Sequence, residues 1–253
     1  MIIKQRDAQG RTILALEQAA RQAQDPVHRN GCRSAAARLR DDPTQERACR
    51  LLDETFGASD DWAVLHDLRV PIGRFVLHLN HLLINEFLEC VCVDSRYLQR
   101  GLRRLEDGRF LAAASPEDTV PIGSPLSKAA RDARMVHTLI DDRGPLRRWL
   151  GMGPQVSVQA VVLHDPALGV GAPGSAAREA NRLMGADALF PMLWKRRRRM
   201  RPFERVTTER LQDIAQHLVE RHQPNFSRAL LDPVRRTASV ATAGPVRALA
   251  MTA

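Results

Sequence analysis

Long apolar runs are missing from this chain of 253 residues. No segment approaches the roughly eighteen uncharged apolar residues that a membrane-spanning helix needs. The first residues, Met1 to Asp7, also lack the apolar run of a secretion signal. These absences predict a soluble, cytoplasmic protein with no membrane partner. The apolar content of 44% is enough to bury the core of one large α/β domain.

Cysteine is scarce, and the four residues of this type do not form a disulfide framework in a chain of this length: Cys32, Cys49, Cys90 and Cys92. Cys90 and Cys92 are two residues apart on a predicted strand, so their side chains point the same way. No second pair stands at zinc-ribbon spacing. Reduced, partly buried thiols are therefore the expected state.

Lysine is nearly absent, since Lys4, Lys128 and Lys195 are the only three, yet arginine brings the net charge to +9 and the pI to about 10.5. This balance suits an anionic partner such as nucleic acid. Aromatic residues make up only 4% of the chain, so phosphate contacts are favoured over a base-stacking platform. The arginine and alanine content would also follow from a GC-rich genome, and charge alone leaves that alternative open.

The chain divides into four predicted parts. Residues 1–42 are polar and form a helical N-terminal extension, 43–194 form the main domain, 195–236 form a basic helical segment, and 237–253 form a disordered tail. The main domain opens with a helix at Pro43, where proline fits the first turn and Glu46 complements the helix N-terminus. The basic segment opens with Lys195, Arg196, Arg197, Arg198 and Arg199, which indicate either a nucleic-acid patch or a solvated linker face.

Three apolar runs in the main domain predict an antiparallel meander with strands over 62–70, 75–84 and 87–93. Turn signals fill the polar stretch after Arg96. A helix over 126–141 and a β-branched strand over 156–164 follow, which together are typical of the αβ half of a mixed sheet. The predicted fold class is α/β, with a mixed central sheet covered by helices on both faces.

Four sequence blocks in this order resemble the nuclease-related domain (NERD) family of the PD-(D/E)xK nuclease superfamily. They are Trp62-Ala-Val-Leu-His-Asp-Leu-Arg69, Asn80-His-Leu-Leu-Ile-Asn85, Val91-Cys-Val-Asp-Ser-Arg96 and Ile122-Gly-Ser-Pro-Leu126. The similarity runs from about Thr44 to His164. The resemblance implies a restriction-endonuclease-like fold with helical N- and C-terminal extensions, and a protein that acts on nucleic acid, DNA in the first place.

The resemblance also implies roles for individual residues. Asp94, Asn80 and the backbone carbonyl of Ser95 would hold Mg²⁺ or Mn²⁺, which would polarise a phosphate and activate water. Arg96 would stabilise the phosphate, and Glu46 would be the helix acid. Lys128, where the family tends to have glutamine, would contact phosphate or lie at the surface.

Three positions within the second and third blocks depart from the family pattern, in which the second block usually reads Ile-Asp-His-Leu and the third ends in Glu-x-Lys. Asn80 replaces a carboxylate with a neutral amide, which suits a hard cation poorly. Asp94 is one methylene shorter than glutamate, and Arg96 cannot pass a proton to water as lysine can. Metal-dependent phosphodiester hydrolysis is therefore expected to be weakened or lost.

Two alternatives remain open at this point. The protein could be a catalytically inactive nucleic-acid-binding or partner-binding protein. Asp94 and Arg96 could also form an internal ion pair at a strand end, because residues at i and i+2 on one strand face can pair without any catalysis. A structural role is likewise favoured for His81 over a role as metal ligand.

Overall fold

The computed structural model describes residues 1–40, 43–113, 115, 117–141, 156–168, 182–197 and 205–224, which form a mixed α/β structure. Contacts between residues divide the chain into two compact units. One comprises Met1–Arg6 and Pro43–Gln223, and the other Asp7–Asp42 and Pro224–Ala253. In the described part of the second unit, helices α1 (Gly10–Gln22) and α2 (Pro26–Arg40) pack against each other.

The first unit contains a central sheet of six strands. In spatial order these are β1 (Ile2–Lys4), β2 (Trp62–Ile72), β3 (Phe75–Asn85), β4 (Glu89–Tyr97), β8 (Ser157–His164) and β9 (Leu183–Met184). Strands β2, β3 and β4 pair antiparallel, which confirms the predicted meander. Strand β8 is parallel to β4, and parallel neighbours require a crossover connection. Helix α4 (Pro125–Asp141) lies on that crossover.

In the described part of the first unit, four helices accompany the sheet: α3 (Pro43–Phe56), α4, α5 (Ala186–Arg197) and α6 (Thr208–Glu220). Proline occupies the first position of α3 and of α4, where its missing N–H is not needed. Ser124 precedes α4, and its hydroxyl accepts a hydrogen bond from the Ser127 amide at 3.2 Å, which caps the helix. Thr207 caps α6 in the same way, accepting from the Arg210 amide at 3.3 Å.

A second, three-stranded antiparallel sheet follows β4, where the sequence indicated only polar turns. It consists of β5 (Gly101–Arg104), β6 (Phe110–Ala113) and β7 (Thr119–Ile122). Asp107-Gly108, one of the turn signals after Arg96, forms the turn of the β5–β6 hairpin, with Gly108 at a φ of +83°. The strands were missed because each has four residues, too few for an alternating pattern to stand out.

The helices cover the central sheet in two layers, each with its own core cluster. One cluster joins residues of the sheet to α4 and α6, and the other joins residues of the sheet to α3 and α5. Both faces of the sheet are therefore buried, as the continuous apolar runs predicted. We call these the α4 face and the α3 face.

The structure differs from the predicted boundaries at both ends. The first residues do not belong to a helical extension, since Ile2–Lys4 pair parallel with β2. The basic run begins within α5, which crosses the boundary predicted at residue 195. The predicted tail 237–253 lies outside the described residues. In the described part of the chain, no helix is both long and apolar enough to span a bilayer.

Candidate functional site at the polar end of the sheet

Alternate residues of β4 point to opposite faces of the central sheet. Cys90 and Cys92 belong to the core cluster of the α4 face, and Val91 and Val93 to that of the α3 face. Because strand side chains alternate, the next residue, Asp94, belongs to the α4 face. Ser95, the next residue in sequence, points to the α3 face.

The carboxylate of Asp94 is held by Arg96. Arg96 Nε lies 2.9 Å from Oδ1 and 3.1 Å from Oδ2, and Nη2 lies 2.5 Å from Oδ2. The Arg96 amide also donates to Oδ1 at 3.1 Å. The hydrogen bonding of the Arg96 side chain to Asp94 is the main reason that the pKa of the Arg96 guanidinium is raised. The Asp94 side chain is 7% exposed and that of Arg96 is 41% exposed, so the pair is open to solvent on its cationic side.

Asn80 is the neighbour of Asp94 across the β3–β4 pair. Leu79 and Leu82 of β3 both belong to the cluster of the α4 face, so the alternation of side chains is interrupted between them, beside Asn80. The antiparallel register pairs His81 with Val93, so Asn80 stands one position further, opposite Asp94. The structure thus brings together two of the predicted metal-site residues.

Helix α4 adds two residues to this end of the sheet. Lys128 Nζ forms a close ion pair with the Asp132 carboxylate and lies 3.5 Å from the His78 carbonyl oxygen of β3. Burial raises the pKa of the Cys92 thiol to about 12, and the charge of Asp132 adds to this effect. Asp132 therefore lies close to β4 on the α4 face. We call Asp94, Arg96, Lys128 and Asp132 the carboxylate–cation cluster.

Sequence reasoning had overlooked Asp132. The available signal was its spacing: Lys128 and Asp132 are four residues apart in a helix whose start is marked by Ser124-Pro125, so they share one helix face. Asp132 is 5% exposed and is held by Lys128, with Arg131 Nε 3.6 Å away. A buried carboxylate needs such partners.

Glu46 does not join the carboxylate–cation cluster. It lies on α3, whose buried residues belong to the opposite face of the sheet. Its side chain is 71% exposed and pairs with Arg50 at 3.3 Å, four residues along the same helix. Of the site residues that the resemblance implies, the structure therefore brings together Asn80, Asp94 and Arg96, with Lys128 beside them.

The basic run begins away from this cluster. Lys195 is an exposed residue of α5, and α5 packs on the α3 face. Arg196 and Arg197 are the last two residues of that helix. Arg198 and Arg199 lie outside the described residues.

The residues at Asn80 and Asp94 do not fit Mg²⁺ or Mn²⁺ in this arrangement. Both oxygens of Asp94 accept hydrogen bonds from Arg96, and Asn80 offers only a neutral amide. The other nearby carboxylate, Asp132, is held by Lys128. Hard cations select charged oxygen ligands, and here cations of the protein already occupy them.

A second polar group lies on the α3 face, beginning with Ser95. Its hydroxyl lies 2.8 Å from His81 Nε2, and His81 Nδ1 lies 2.7 Å from His66 Nδ1. His66 Nε2 in turn lies 2.8 Å from Asp53 Oδ1 on α3. Both imidazoles are completely buried, and burial lowers the pKa of His66 and lowers that of His81 further. We call Cys49, Asp53, His66, His81 and Ser95 the histidine cluster.

Asp67 follows His66 and interrupts the regular geometry of β2 without a shift in register. His66 pairs with His81 and Leu68 with Leu79, and Asp67 between them has a left-handed conformation with a φ of 49°. Asp67 Oδ1 lies 2.8 Å from His78 Nε2. Burial alone would raise the pKa of Asp67, but the hydrogen bond from His78 and nearby positive charges, including Arg69, lower it to about 2.

Comparison of the chain with protein-family models, with curated proteins and with solved structures finds no match.

Proposed function

We propose that this protein is a NERD-type nuclease-fold protein that binds the phosphate backbone of nucleic acid through the α4 face, with hydrolysis weakened or lost. The order of elements supports the fold assignment: helix, three-stranded meander, crossover helix and parallel strand follow one another as in the family that the sequence blocks resemble. DNA is the first candidate ligand, in keeping with that resemblance.

One observation carries the binding proposal. Arg96 is fixed in a bidentate ion pair with Asp94 while its side chain remains 41% exposed. An orientation fixed in advance lowers the entropy cost of contacting a phosphate, and guanidinium geometry matches phosphate oxygens. Lys128 and Arg131 add two positive charges beside it, so three cations stand against the two carboxylates Asp94 and Asp132.

The same contacts argue against efficient hydrolysis. A divalent cation at Asp94 would have to displace Arg96 from both carboxylate oxygens and would gain only an amide from Asn80. The site therefore favours an anion over a cation. The exposed Lys195 at the end of α5 is a separate basic element, and we assign it a supporting, sequence-independent phosphate contact.

The binding test measures the affinity of the full chain for duplex DNA and for RNA over a range of salt concentrations. Arg96→Gln should weaken binding and reduce the dependence on salt by about one phosphate contact. Arg50→Gln is the matched control, because Arg50 is an exposed arginine that pairs with a carboxylate on the other face. Equal affinities of the parent and Arg96→Gln would refute the assigned site, and no binding near physiological salt would favour a partner-binding protein instead.

The hydrolysis test uses the same chain with Mg²⁺ and with Mn²⁺. The parent should cut DNA weakly or not at all, and the double variant Asn80→Asp with Arg96→Lys should gain activity, because it restores the acid and the lysine of the family pattern. Adding Asp94→Ala to the double variant should abolish that gain. A restored variant that folds and binds DNA but never cuts it would argue against nuclease ancestry of the site.

A further inference from the structure

The histidine cluster contains three groups that coordinate transition metals, drawn from three different elements. Cys49 comes from α3, His66 from β2 and His81 from β3, and one ligating atom of each lies within 4.8 Å of the others. Histidine nitrogen and cysteine sulfur are the ligands that zinc and related metals select. The proposed phosphate site lies on the opposite face, so this group has a separate role.

Hydrogen bonds in the histidine cluster leave the Nδ1 atoms of both rings facing each other. Asp53 lies at Nε2 of His66, and Ser95 lies at Nε2 of His81. If each Nε2 keeps its proton, His66 donates to a carboxylate, His81 donates to a hydroxyl, and both Nδ1 atoms present lone pairs to the same point. Partners of this kind on the distal nitrogen are what orients metal-binding histidines.

The distance between the two Nδ1 atoms is informative about the metal-free state. At 2.7 Å they share one proton, which His81 Nδ1 donates to His66 Nδ1 in the tautomer that Asp53 favours. Around a tetrahedral zinc ion with bonds of about 2.0–2.1 Å, two nitrogens stand roughly 3.4 Å apart. The rings need to separate by less than about 1 Å to admit the ion, which rotation of the side chains can supply.

We propose that Cys49, His66 and His81 form a binding site for a divalent transition metal of the zinc class, with a solvent molecule as the remaining ligand. Asp53 and Ser95 are positioning residues that fix the two imidazoles. Cys49 is only partly buried, which gives the ion and its solvent ligand access from the surface. Cys49 and Asp53 are four residues apart on α3, so one helix face supplies both a ligand and a positioning carboxylate.

Protons balance without any redox change. Binding one divalent ion moves the proton shared by the two Nδ1 atoms to Nε2 of His81 and displaces the proton of the Cys49 thiol, so about one proton enters the solvent. The two imidazoles remain neutral and the sulfur becomes a thiolate. Their burial is consistent with this, because completely buried rings are more stable neutral than charged.

The test begins with full-length protein treated with a chelator and then titrated with Co²⁺, a coloured substitute for Zn²⁺. We expect one equivalent to bind, with ligand-field bands of a tetrahedral ion and a thiolate-to-cobalt charge-transfer band. Zn²⁺ should displace it and should raise the thermal unfolding temperature. Calorimetry in two buffers of different ionisation enthalpy should show release of about one proton.

Substitutions test whether the cobalt spectrum and the metal affinity depend on Cys49 and Asp53. Cys49→Ser should remove the charge-transfer band, whereas Cys90→Ala should retain it, because Cys90 is a thiol of the same unit on the opposite face. Asp53→Asn should weaken metal binding about 10–100-fold, and Glu54→Gln, the next residue on the same helix, should not. Circular dichroism checks that each variant is folded. If Cys49→Ser does not fold, the comparison of Asp53→Asn with Glu54→Gln remains decisive.

Three outcomes would overturn the proposal. One is the absence of stoichiometric Co²⁺ and Zn²⁺ binding by the folded parent. Another is a charge-transfer band that survives in folded Cys49→Ser. The third is equal metal affinity of Asp53→Asn and Glu54→Gln. None of these results depends on nucleic-acid binding, so failure here leaves the proposed function untouched.

Discussion

The two faces of the central sheet hold polar clusters that differ in kind although they share strands. The carboxylate–cation cluster consists of charged groups in pairs, and Arg96 remains open to solvent. The histidine cluster is built around two completely buried rings whose pKa values are lowered by burial. Neighbouring residues of β4, Asp94 and Ser95, belong to different clusters. A one-residue step along a strand therefore separates a charged, partly exposed group from a buried group of neutral imidazoles.

Burial should make the histidine cluster much more sensitive to substitution than the carboxylate–cation cluster. His66→Leu removes the hydrogen bonds to Asp53 and His81 and leaves a polar atom of the buried His81 without its partner. We expect the free energy of unfolding to fall by about 3 kcal/mol. Arg96→Gln on the other face should cost only about 1 kcal/mol, because the ion pair is partly exposed. Urea denaturation of both variants measures the contrast, and equal losses would contradict it.

Substitution of Asp67 should have an effect of intermediate size on the free energy of unfolding, and this effect depends on pH. Its pKa of about 2, against a usual value of 3.8, corresponds to about 2 kcal/mol of stability in the ionised form. Because the folded-state pKa is the lower one, this contribution is fully present above about pH 4 and is lost as the pH falls toward 2. Asp67→Asn should therefore destabilise the protein at pH 7 and progressively less below pH 4.

Asparagine is a suitable replacement for this measurement because it tolerates the left-handed backbone found at position 67. The comparison is the difference in urea midpoint between parent and variant at pH 7, 5, 4 and 3. A difference that stays constant over this range would mean that the charge of Asp67 is not what stabilises this part of β2.

The fold was predictable from the sequence wherever elements are long and apolar. Alternation and uninterrupted apolar runs located β2, β3, β4 and β8, and proline and serine at the helix starts located α3 and α4. The short strands β1 and β5 to β7 lacked such a pattern. Strand β1 is held by pairing with β2, which only the folded structure reveals.

The sites were less predictable because they depend on register and on which face a residue occupies. Asn80 and Asp94 meet as the motif order suggested, but Glu46 lies on the other side of the sheet. The histidine cluster was missed because its members lie on α3, β2, β3 and β4 and follow no short motif. The sequence favours a structural role for His81, and nothing in the sequence links it to Cys49 and His66.

Glu46 provides the smallest expected effect and a sharp check of the two-face comparison. An exposed ion pair four residues apart on a helix contributes about 0.3–0.5 kcal/mol, so Glu46→Gln should leave the free energy of unfolding nearly unchanged. Glu46→Gln should also leave two other quantities unchanged. These are the nucleic-acid affinity and any cleavage activity gained by the double variant Asn80→Asp with Arg96→Lys. Asp132 is the matched acid on the α4 face. Asp132→Asn should alter both the nucleic-acid affinity and the restored cleavage, because it releases Lys128 beside the proposed phosphate site. If Glu46→Gln abolished the restored cleavage and Asp132→Asn did not, the acid of α3 would have to reach the phosphate, and the division of the two clusters by the sheet would be wrong.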